Sequence, residues 1–244
     1  MLDFDFYLKR SIFLVEIICA VIALLTYKYY KKTPSKIFMP FLWFVVIIEI
    51  IALLPIIFVI NENSLIIDFF KVFMPEKMIR LNFWIYNIYS IISFFIFLFF
   101  YWLLTKGTNH NKYIFFLIVI YLIAVIIDHK DHFIDISNFF KRRTMHKIAG
   151  VLCTLVAAFM YLQTVFKRDD IFTFHKTLPF WITVGLLFFN LVTIPIFIFA
   201  QQLNFSKPIY IYILTLSNYI MYGSFIIGFI KNARLQKQNS SLTN

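Results

Sequence analysis

Two acidic residues lie inside long apolar runs, where a charged side chain is least expected. Glu49 sits in the middle of "FVVIIEIIALLP", residues 44–55, and Glu16 sits in the first apolar run of the chain. Ionisable side chains inside membrane helices are rare, and they mark ligand contacts, ion pathways or proton relays. These two residues are therefore the first candidates for chemistry in this sequence.

The apolar run around Glu49 is strong enough to tolerate the carboxyl without a functional reason. Eighteen of the residues 37–60 are Leu, Ile, Val or Phe, and each favours membrane insertion by about 0.3–0.6 kcal/mol. An acidic residue at the helix centre costs about 2.5–3.5 kcal/mol. Burial inside a folded bundle is stricter, so we expect Glu49 to be neutral or hydrogen-bonded to Asn and Tyr groups. A ligand contact, a proton switch and a tolerated polar residue all stay open.

Further polar side chains fall at related depths in other apolar runs. Odd-numbered spans begin on the side of the N-terminus, and even-numbered spans end there. This alternation places Glu49, Asn190 and Asn218 near the midplane, and it places Glu16, Tyr86 and Asn87 toward the N-terminal side. Converging polar groups between helices are the default ligand site, and we predict a cavity open toward the N-terminal side. Its Asn and Tyr groups would also suit hydrogen bonds between helices. The predicted ligand-binding residues are Glu49, Glu16, Tyr86, Asn87, Asn190 and Asn218.

Other recognisable chemistry is missing from the sequence pattern. A retinal Schiff base needs a lysine within the seventh span, and residues 208–230 contain none. No Gly-x-Ser-x-Gly element indicates an intramembrane serine protease. The stretch "DHKDHFID", residues 128–135, offers His129 and His132, but loose spacing at a membrane boundary favours a solvated segment over a zinc site. The five histidines do not otherwise converge within the spans, so we predict no metal, no cofactor and no enzymatic activity.

The composition predicts the elements that position these residues. The 244-residue chain is 61% hydrophobic and 14% charged, whereas soluble domains are about 25% charged. Its apolar runs are long enough to cross a hydrocarbon layer of about 30 Å as helices. We predict an all-α membrane protein with a single seven-transmembrane-helix bundle at 1–231 and a short polar tail at 232–244; six or eight spans stay open. The predicted spans are 9–29, 37–60, 83–105, 113–128, 147–166, 177–201 and 208–231, of which the fourth is the most lipid-exposed.

The connections and the basic residues bear on how the bundle sits in its membrane. Residues 61–82 and 129–146 contain "SLIIDFFKVF" and "HFIDISNFF", whose mixed character predicts short interfacial helices. The 23 Lys and Arg give a net charge of +11, but they lie almost entirely between the apolar runs and in the tails, which argues against nucleic-acid binding. Basic residues after the first span favour an N-terminus outside and a cytoplasmic C-terminus in a cell inner membrane, whereas "KRR" at 141–143 opposes this orientation.

Spans two and six share a pattern that indicates an internal repeat. "PFLWFVVIIEIIALLP" and "PFWITVGLLFFNLVTIP" each begin with Pro-Phe and a nearby Trp, carry a polar residue near the middle and end in proline. Asn87 and Asn218 add a pair between spans three and seven. Both pairs are four spans apart, as a parallel 3+1+3 repeat requires. Sugar-exporting SWEET-type proteins resemble this plan, but the sequence lacks their Pro-Gln loop motif and has no proline in spans one or five.

Four segments resemble the uncharacterised small seven-transmembrane-helix proteins of Bacteroidota. The likeness covers most of the chain, and enrichment in Phe, Ile, Lys, Asn and Tyr would suit an AT-rich genome of that kind. The resemblance implies seven spans and carries no assigned activity. The segments are "PFLWFVVIIEII", "FWIYNIYSIISFFIF", "LPFWITVGLLFFNLVTIPIF" and "LSNYIMYGSFIIGFI".

These observations lead to three hypotheses for the function. The first is a receptor-like or sensory protein that binds a small molecule or lipid in a mid-membrane cavity and signals through a partner protein. Kinks at Pro55 and Pro195 would supply its movable element. The alternative is a small 3+1+3 transporter for a small solute or a proton-coupled substrate, using the same residues. The third is a structural subunit of a membrane complex.

Overall fold

The described part of the chain is built from helices. A computed structural model describes residues 4–62, 64–130, 143–167, 174–199 and 207–242, and every regular element within these ranges is helical. Seven helical spans among them are long and apolar enough to cross a membrane. The chain is therefore an all-α, multi-pass membrane protein in contact with lipid, as predicted.

The helices differ in length according to their place in the membrane. Six spans are single helices, and the remaining span consists of α2 and α3 together. Two short connecting helices, α4 and α5, precede the third span. In chain order the helices are α1 (Phe4–Thr26), α2 (Phe38–Ile51), α3 (Leu54–Ile60), α4 (Leu65–Phe73), α5 (Glu76–Arg80), α6 (Phe83–Leu104), α7 (His110–His129), α8 (Met145–Phe166), α9 (Leu178–Phe199) and α10 (Lys207–Leu242).

The last helix runs past the predicted end of its span. The sequence predicted a span that ends at 231 and a polar tail from 232, but α10 continues as a helix to Leu242. No Gly or Pro follows Gly228 within the helix, so the polar residues there meet no helix-breaking position. The boundary of the domain at 231 stays a prediction.

Consecutive spanning helices pack side by side in a closed ring. In chain order, α1 contacts α2, α2 contacts α6, α6 contacts α8, α8 contacts α9, and α9 contacts α10, which returns to α1. Helix α7 packs on α6 and α8 from outside this ring and is the least buried of the seven spans, as predicted for span four. These contacts join neighbours in the ring and do not test the predicted 3+1+3 repeat, which stays a prediction.

Aromatic side chains fill the half of the ring that lies away from the N-terminus. The ring of Phe38, at the start of α2, is 4.9 Å from that of Phe100 and 5.7 Å from that of Phe225, both edge-on. All three side chains are fully buried, and such edge-to-face pairs contribute about 0.5–1.5 kcal/mol beyond their burial. The dry aromatic core leaves the polar residues to the other half of the bundle.

Helix α4 is an amphipathic helix beside that polar half. Its Ser64 cap accepts a hydrogen bond from the Ile67 backbone at 3.3 Å, and Ile67 is fully buried. The other apolar face is open, with Leu65, Val72 and Phe73 strongly exposed, which suits a helix lying in the membrane interface. The helix predicted within 61–82 is therefore present, whereas most of the one predicted within 129–146 lies outside the described residues.

Candidate functional site

Helix α1 turns a narrow face of small residues and one carboxyl toward the interior of the bundle. Glu16 shares this face with Cys19, Ala20 and Ala23, which follow at i+3, i+4 and i+7. The three small residues are fully buried and Glu16 is only 4% exposed. Small side chains let neighbouring helices approach closely, so the carboxyl of Glu16 is enclosed by protein rather than by lipid.

Glu49 reaches the same region from α2. It is half-buried, and its Oε2 atom accepts a hydrogen bond from the hydroxyl of Tyr86 on α6 at 3.4 Å. The two residues come from different helices and are 37 positions apart in the chain. This contact brings together two of the residues that the sequence predicted to share a site.

The helix that carries Glu49 is interrupted just beyond it. Helix α2 ends at Ile51 and α3 begins at Leu54, because Pro55 has no N–H to continue the helical hydrogen bonds. The N–H of Leu53 donates to the carbonyl of Ile50 at 3.2 Å instead of to that of Glu49. The predicted irregularity at Pro55 is therefore a break in the helix, placed within one turn of the carboxyl.

Glu16 and Glu49 lie close enough for their carboxyls to interact electrostatically. Tyr222 on α10 and Tyr89 on α6 lie near enough to Glu16 to interact with it electrostatically. The Glu16 Oε2 atom is buried and accepts no hydrogen bond from the described residues. We name this group the acid–tyrosine cluster; its members are Glu16, Glu49, Tyr86, Tyr89 and Tyr222.

The acid–tyrosine cluster carries potential negative charge without a positive partner. Among the described ion pairs, none involves Glu16 or Glu49. Removing a carboxylate from water is costly unless it is paired, and two carboxylates at close range repel strongly in a medium of low dielectric. The negative charge of the pair is therefore balanced when a cation is bound. This cation is either a proton on one carboxyl or a small positive group between the two carboxyls.

The three predicted asparagines make most of their described contacts with backbone of their own helices. The side-chain amide of Asn190 donates to the Leu186 carbonyl at 2.7 Å, and that of Asn218 donates to the Leu214 carbonyl at 2.8 Å. Asn87 is almost fully buried on α6, near the start of that helix. No contact with the acid–tyrosine cluster is described for these side chains, and a role in ligand binding stays a prediction for each.

Sequence reasoning did not include Tyr89 and Tyr222 among the site residues. Tyr89 follows Tyr86 by three positions, so the two share one face of α6. Tyr222 lies four positions after Asn218 on α10. Both spacings are visible in the sequence, but tyrosine is so frequent in this chain, with 14 copies, that spacing alone does not single these two out.

A pocket of about 310 Å³ lies at the end of α3. It is lined by Pro55, Phe58, Val59, Glu62 and Arg80. None of the predicted ligand-binding residues lines it. The mid-membrane cavity expected around those residues therefore stays a prediction.

Two histidines come together at the ends of neighbouring spans, against the expectation from the sequence. The rings of His129 and His146 are 4.9 Å apart, and ligand atoms of Asp128, His129 and His146 all lie within 4.8 Å of one another. The expectation that histidines do not converge in the spans is wrong for this pair, because the start of α8 packs against the end of α7. His132, the other residue considered for metal binding, lies outside the described residues.

Comparisons of the chain with protein-family models, with curated proteins and with solved structures find no match. The chemistry of the side chains described above is therefore what indicates a function.

Proposed function

We propose that this protein is a receptor-like seven-helix membrane protein that responds to a cation bound by Glu16 and Glu49. The observation that supports the proposal is a pair of interior carboxyls, the buried Glu16 and the half-buried Glu49 bonded to Tyr86, that no described ion pair balances. A proton is the smallest cation that would do so. The ammonium group of a small molecule has the same chemistry and would also be stabilised by the faces and hydroxyls of the surrounding tyrosines.

Four spans meet at the acid–tyrosine cluster, which makes it a suitable place for a switch. Glu16 comes from α1, Glu49 from α2, Tyr86 from α6 and Tyr222 from α10. Adding or removing a cation changes the repulsion between two of these helices and the hydrogen bonds offered by the other two. A change in packing among spans is one established way to transmit a ligand signal, here to a partner protein.

The ligand would enter the bundle from the side of the membrane that holds the N-terminus. By the alternation of spans, the acid–tyrosine cluster lies in the half of the bundle nearer the N-terminus. The basic residues that follow the first span support an N-terminus outside the cell inner membrane and a C-terminus in the cytoplasm. The ligand would then enter from outside, and the partner protein would bind on the cytoplasmic side.

Infrared difference spectroscopy on protein in lipid nanodiscs tests the cation site directly. We expect a band from a protonated carboxyl that is lost in Glu16→Gln or Glu49→Gln and kept in Glu62→Gln, because Glu62 is an exposed carboxyl near the same membrane surface. A band that changes with pH alone indicates a proton as ligand. A band that disappears when a primary amine is added at constant pH indicates an organic cation.

The cation site is disproved if no protonated carboxyl band depends on either glutamate and neither pH nor amines change the spectrum. The receptor function needs a second readout on the opposite side of the membrane. Spin labels at Lys106 and Lys237, both near the C-terminal side, would report the distance between the end of α6 and the end of α10. We expect ligand to change this distance in the wild type and not in the Glu16→Gln, Glu49→Gln double variant.

A second candidate function, proton- or cation-coupled transport, is favoured by the break between α2 and α3. Transporters commonly place their binding sites at interrupted membrane helices, and this break lies within one turn of Glu49. Counterflow of a labelled amine in proteoliposomes, abolished by Glu49→Gln and by Pro55→Ala, would establish transport and exclude a receptor without transport. Absence of counterflow together with a ligand-dependent distance change would establish the receptor.

A further inference from the structure

Outside the acid–tyrosine cluster, a serine, a histidine and an aspartate from three helices form a continuous hydrogen-bonded chain. Ser90 Oγ on α6 lies 2.7 Å from Nε2 of His146 on α8. Nδ1 of His146 lies 2.7 Å from Oδ2 of Asp128, near the end of α7. Hydroxyl, imidazole and carboxylate in this order are the groups that activate the nucleophile of serine hydrolases.

The aspartate fixes the direction of the hydrogen bonds. An ionised carboxylate only accepts, and Asp128 Oδ2 accepts both the Nδ1 hydrogen of His146 and its backbone N–H, the latter at 2.9 Å. With its hydrogen on Nδ1, a neutral imidazole presents the lone pair of Nε2 to Ser90. The single hydrogen of the Ser90 hydroxyl thus has two acceptors within range, Nε2 of His146 at 2.7 Å and the Asn87 backbone carbonyl at 2.9 Å, and donation to Nε2 is the arrangement that activates the oxygen.

The same contacts argue for a proton relay rather than a shared metal ion at this cluster. Both ring nitrogens of His146 are engaged, one by Ser90 and the other by Asp128. Because a carbonyl oxygen only accepts, Nδ1 of His129 donates to the Val125 carbonyl over 3.0 Å. A metal bound by all three residues would have to displace at least one of the short bonds of His146.

The serine is held in a fixed position. The hydroxyl of Tyr121 on α7 lies 3.4 Å from the Ser90 carbonyl and 3.3 Å from the Ile91 carbonyl. His146 has no exposed surface and Ser90 is 7% exposed. A reacting pair whose geometry is locked by packing and by neighbouring hydrogen bonds is what nucleophilic catalysis requires.

The place of the chain of bonds in the membrane indicates the substrate. Helix α7 ends and α8 begins on the side of the N-terminus, so Asp128 lies near that membrane surface. Ser90 lies seven residues after the start of α6, about 10 Å along the helix, with the aromatic residues Phe94 and Tyr121 close by. Since the 22 residues of α6 cover about 33 Å, Ser90 lies about a third of the way across the hydrocarbon layer, where the acyl chains of an amphiphile lie.

We propose that Ser90, His146 and Asp128 form a hydrolytic triad for a carboxylic ester of an amphiphile that enters from the membrane. Ser90 is the nucleophile and His146 the general base, whereas Asp128 is a positioning residue that acts through His146.

The reaction proceeds in two steps. Ser90 Oγ attacks the ester carbonyl carbon while its proton moves to His146 Nε2; the bond from this carbon to the alcohol oxygen then breaks, and Nε2 gives the proton to the departing alkoxide. Water next attacks the acyl ester on Ser90 and leaves a proton on Nε2. That proton returns to Ser90 Oγ as the carboxylic acid departs, which restores the enzyme.

A hydrogen-bonded chain that only fastens three helices together would have the same distances, so the test must measure reactivity. The probe is an alkyl fluorophosphonate, which forms a bond from phosphorus to an activated serine oxygen and releases fluoride. Protein in nanodiscs is incubated with the probe, and covalent addition is followed by intact mass and located by peptide sequencing. We expect one addition, at Ser90.

Variants separate catalysis from structure. Ser90→Ala should remove labelling, whereas Ser93→Ala, on the same helix with its hydroxyl bonded to the Tyr89 carbonyl, should label at the wild-type rate. We expect His146→Gln to slow labelling by about 10²–10⁴-fold, the usual contribution of a general base. Asp128→Asn should also slow it while Asp128→Glu restores most of the rate, which a purely structural role would not require.

Several results would overturn the triad. One is wild-type protein that is folded, as judged by its unfolding transition, and yet takes up no probe. Another is labelling that persists in Ser90→Ala. A third is tight zinc binding lost in both Asp128→Asn and His146→Gln without any serine labelling, which would make the cluster a metal site.

Discussion

His146 donates two hydrogen bonds to one atom of Asp128: its backbone N–H at 2.9 Å and its Nδ1–H at 2.7 Å both end on Oδ2. The carboxylate of α7 therefore stabilises an otherwise unpaired N–H in the first turn of α8 and holds a side chain of the same residue. A negative group is also favourable at this end of a helix. The Asp128–His146 pair therefore links α7 to α8, two spans that are joined by a long connection.

We expect Asp128→Asn to lower the free energy of unfolding by about 1–3 kcal/mol, because an amide cannot accept both hydrogen bonds with the strength of a carboxylate. The measurement is reversible unfolding in mixed micelles. Asp68→Asn is the matched control: Asp68 is exposed and lies 3.9 Å from Lys71, and exposed pairs contribute little. Equal stability of the two variants would show that the bonds to His146 are unimportant for folding.

The stability of the wild type should fall as the pH rises. Deprotonation of the Glu16–Glu49 pair adds a second charge to a buried region, whereas in the unfolded chain the same carboxyls are separated and hydrated. The native state therefore binds more protons than the unfolded state, and such a state loses stability with increasing pH. We expect a loss on the order of 1–3 kcal/mol in the wild type and a flatter profile in Glu16→Gln. A Glu16→Gln profile as steep as the wild type would contradict the coupling.

Two glycines, Gly185 on α9 at its contact with α10 and Gly223 on an open face of α10, should respond in opposite directions to alanine. A Cβ at Gly185 would lie 2.9 Å from the backbone oxygen of Met221, which cannot move freely, whereas a Cβ at Gly223 meets nothing within 4 Å. We expect Gly185→Ala to destabilise by about 1–3 kcal/mol through overpacking. Gly223→Ala should instead stabilise by about 0.5–1 kcal/mol because alanine favours helix. Unfolding midpoints of the two variants are the measurement.

Helix α4 should lie in the membrane interface with one face in lipid. Phe73 is 70% exposed, and we expect a spin label at Phe73→Cys to be quenched by oxygen, which is enriched in lipid. A label at Asp68→Cys, on the charged face of the same helix, should be quenched by a water-soluble nickel complex. The native cysteines Cys19 and Cys153 are buried and should add little background. Equal accessibility of both positions to the nickel complex would place α4 in water.

Labelling of intact cells with a membrane-impermeant maleimide decides the orientation. Glu76 and Lys106 are exposed and lie on opposite sides of the bundle, before and after α6. With the N-terminus outside, Glu76→Cys should be labelled in intact cells and Lys106→Cys only after lysis. The reverse pattern would mean that the cation site opens toward the cytoplasm.

The fold could be anticipated because it depends on local composition. Runs such as residues 37–60 are so apolar that only a membrane helix accommodates them, and their number gives the seven spans. Proline chemistry also indicated an irregularity near Pro55. The sequence did not show that α2 would stop as early as Ile51, since this depends on how the chain before the proline settles against its neighbours.

The candidate sites were less predictable because each depends on contacts between distant segments. The depth argument placed Glu49 near the midplane and Tyr86 toward the N-terminal side of one predicted cavity, and the structure brings the two side chains into contact. His146 was not among the candidates, since its role follows from the packing of one helix start against one helix end. No local motif distinguishes Ser90, because the side chains that bond it, those of His146 and Tyr121, come from two other helices.

Helix α10 contains 36 residues and is therefore about 54 Å long, roughly 24 Å more than the hydrocarbon layer that it crosses. Its inner part holds Tyr222 beside Glu16, and its far end carries the cationic side chains of Arg234 and Lys237. One uninterrupted helix thus connects the region of the buried carboxyls to a basic segment outside the bilayer. A small tilt of α10 at Tyr222 would displace these basic side chains by a larger distance, and an acidic partner or an anionic lipid headgroup bound to them would respond to that displacement.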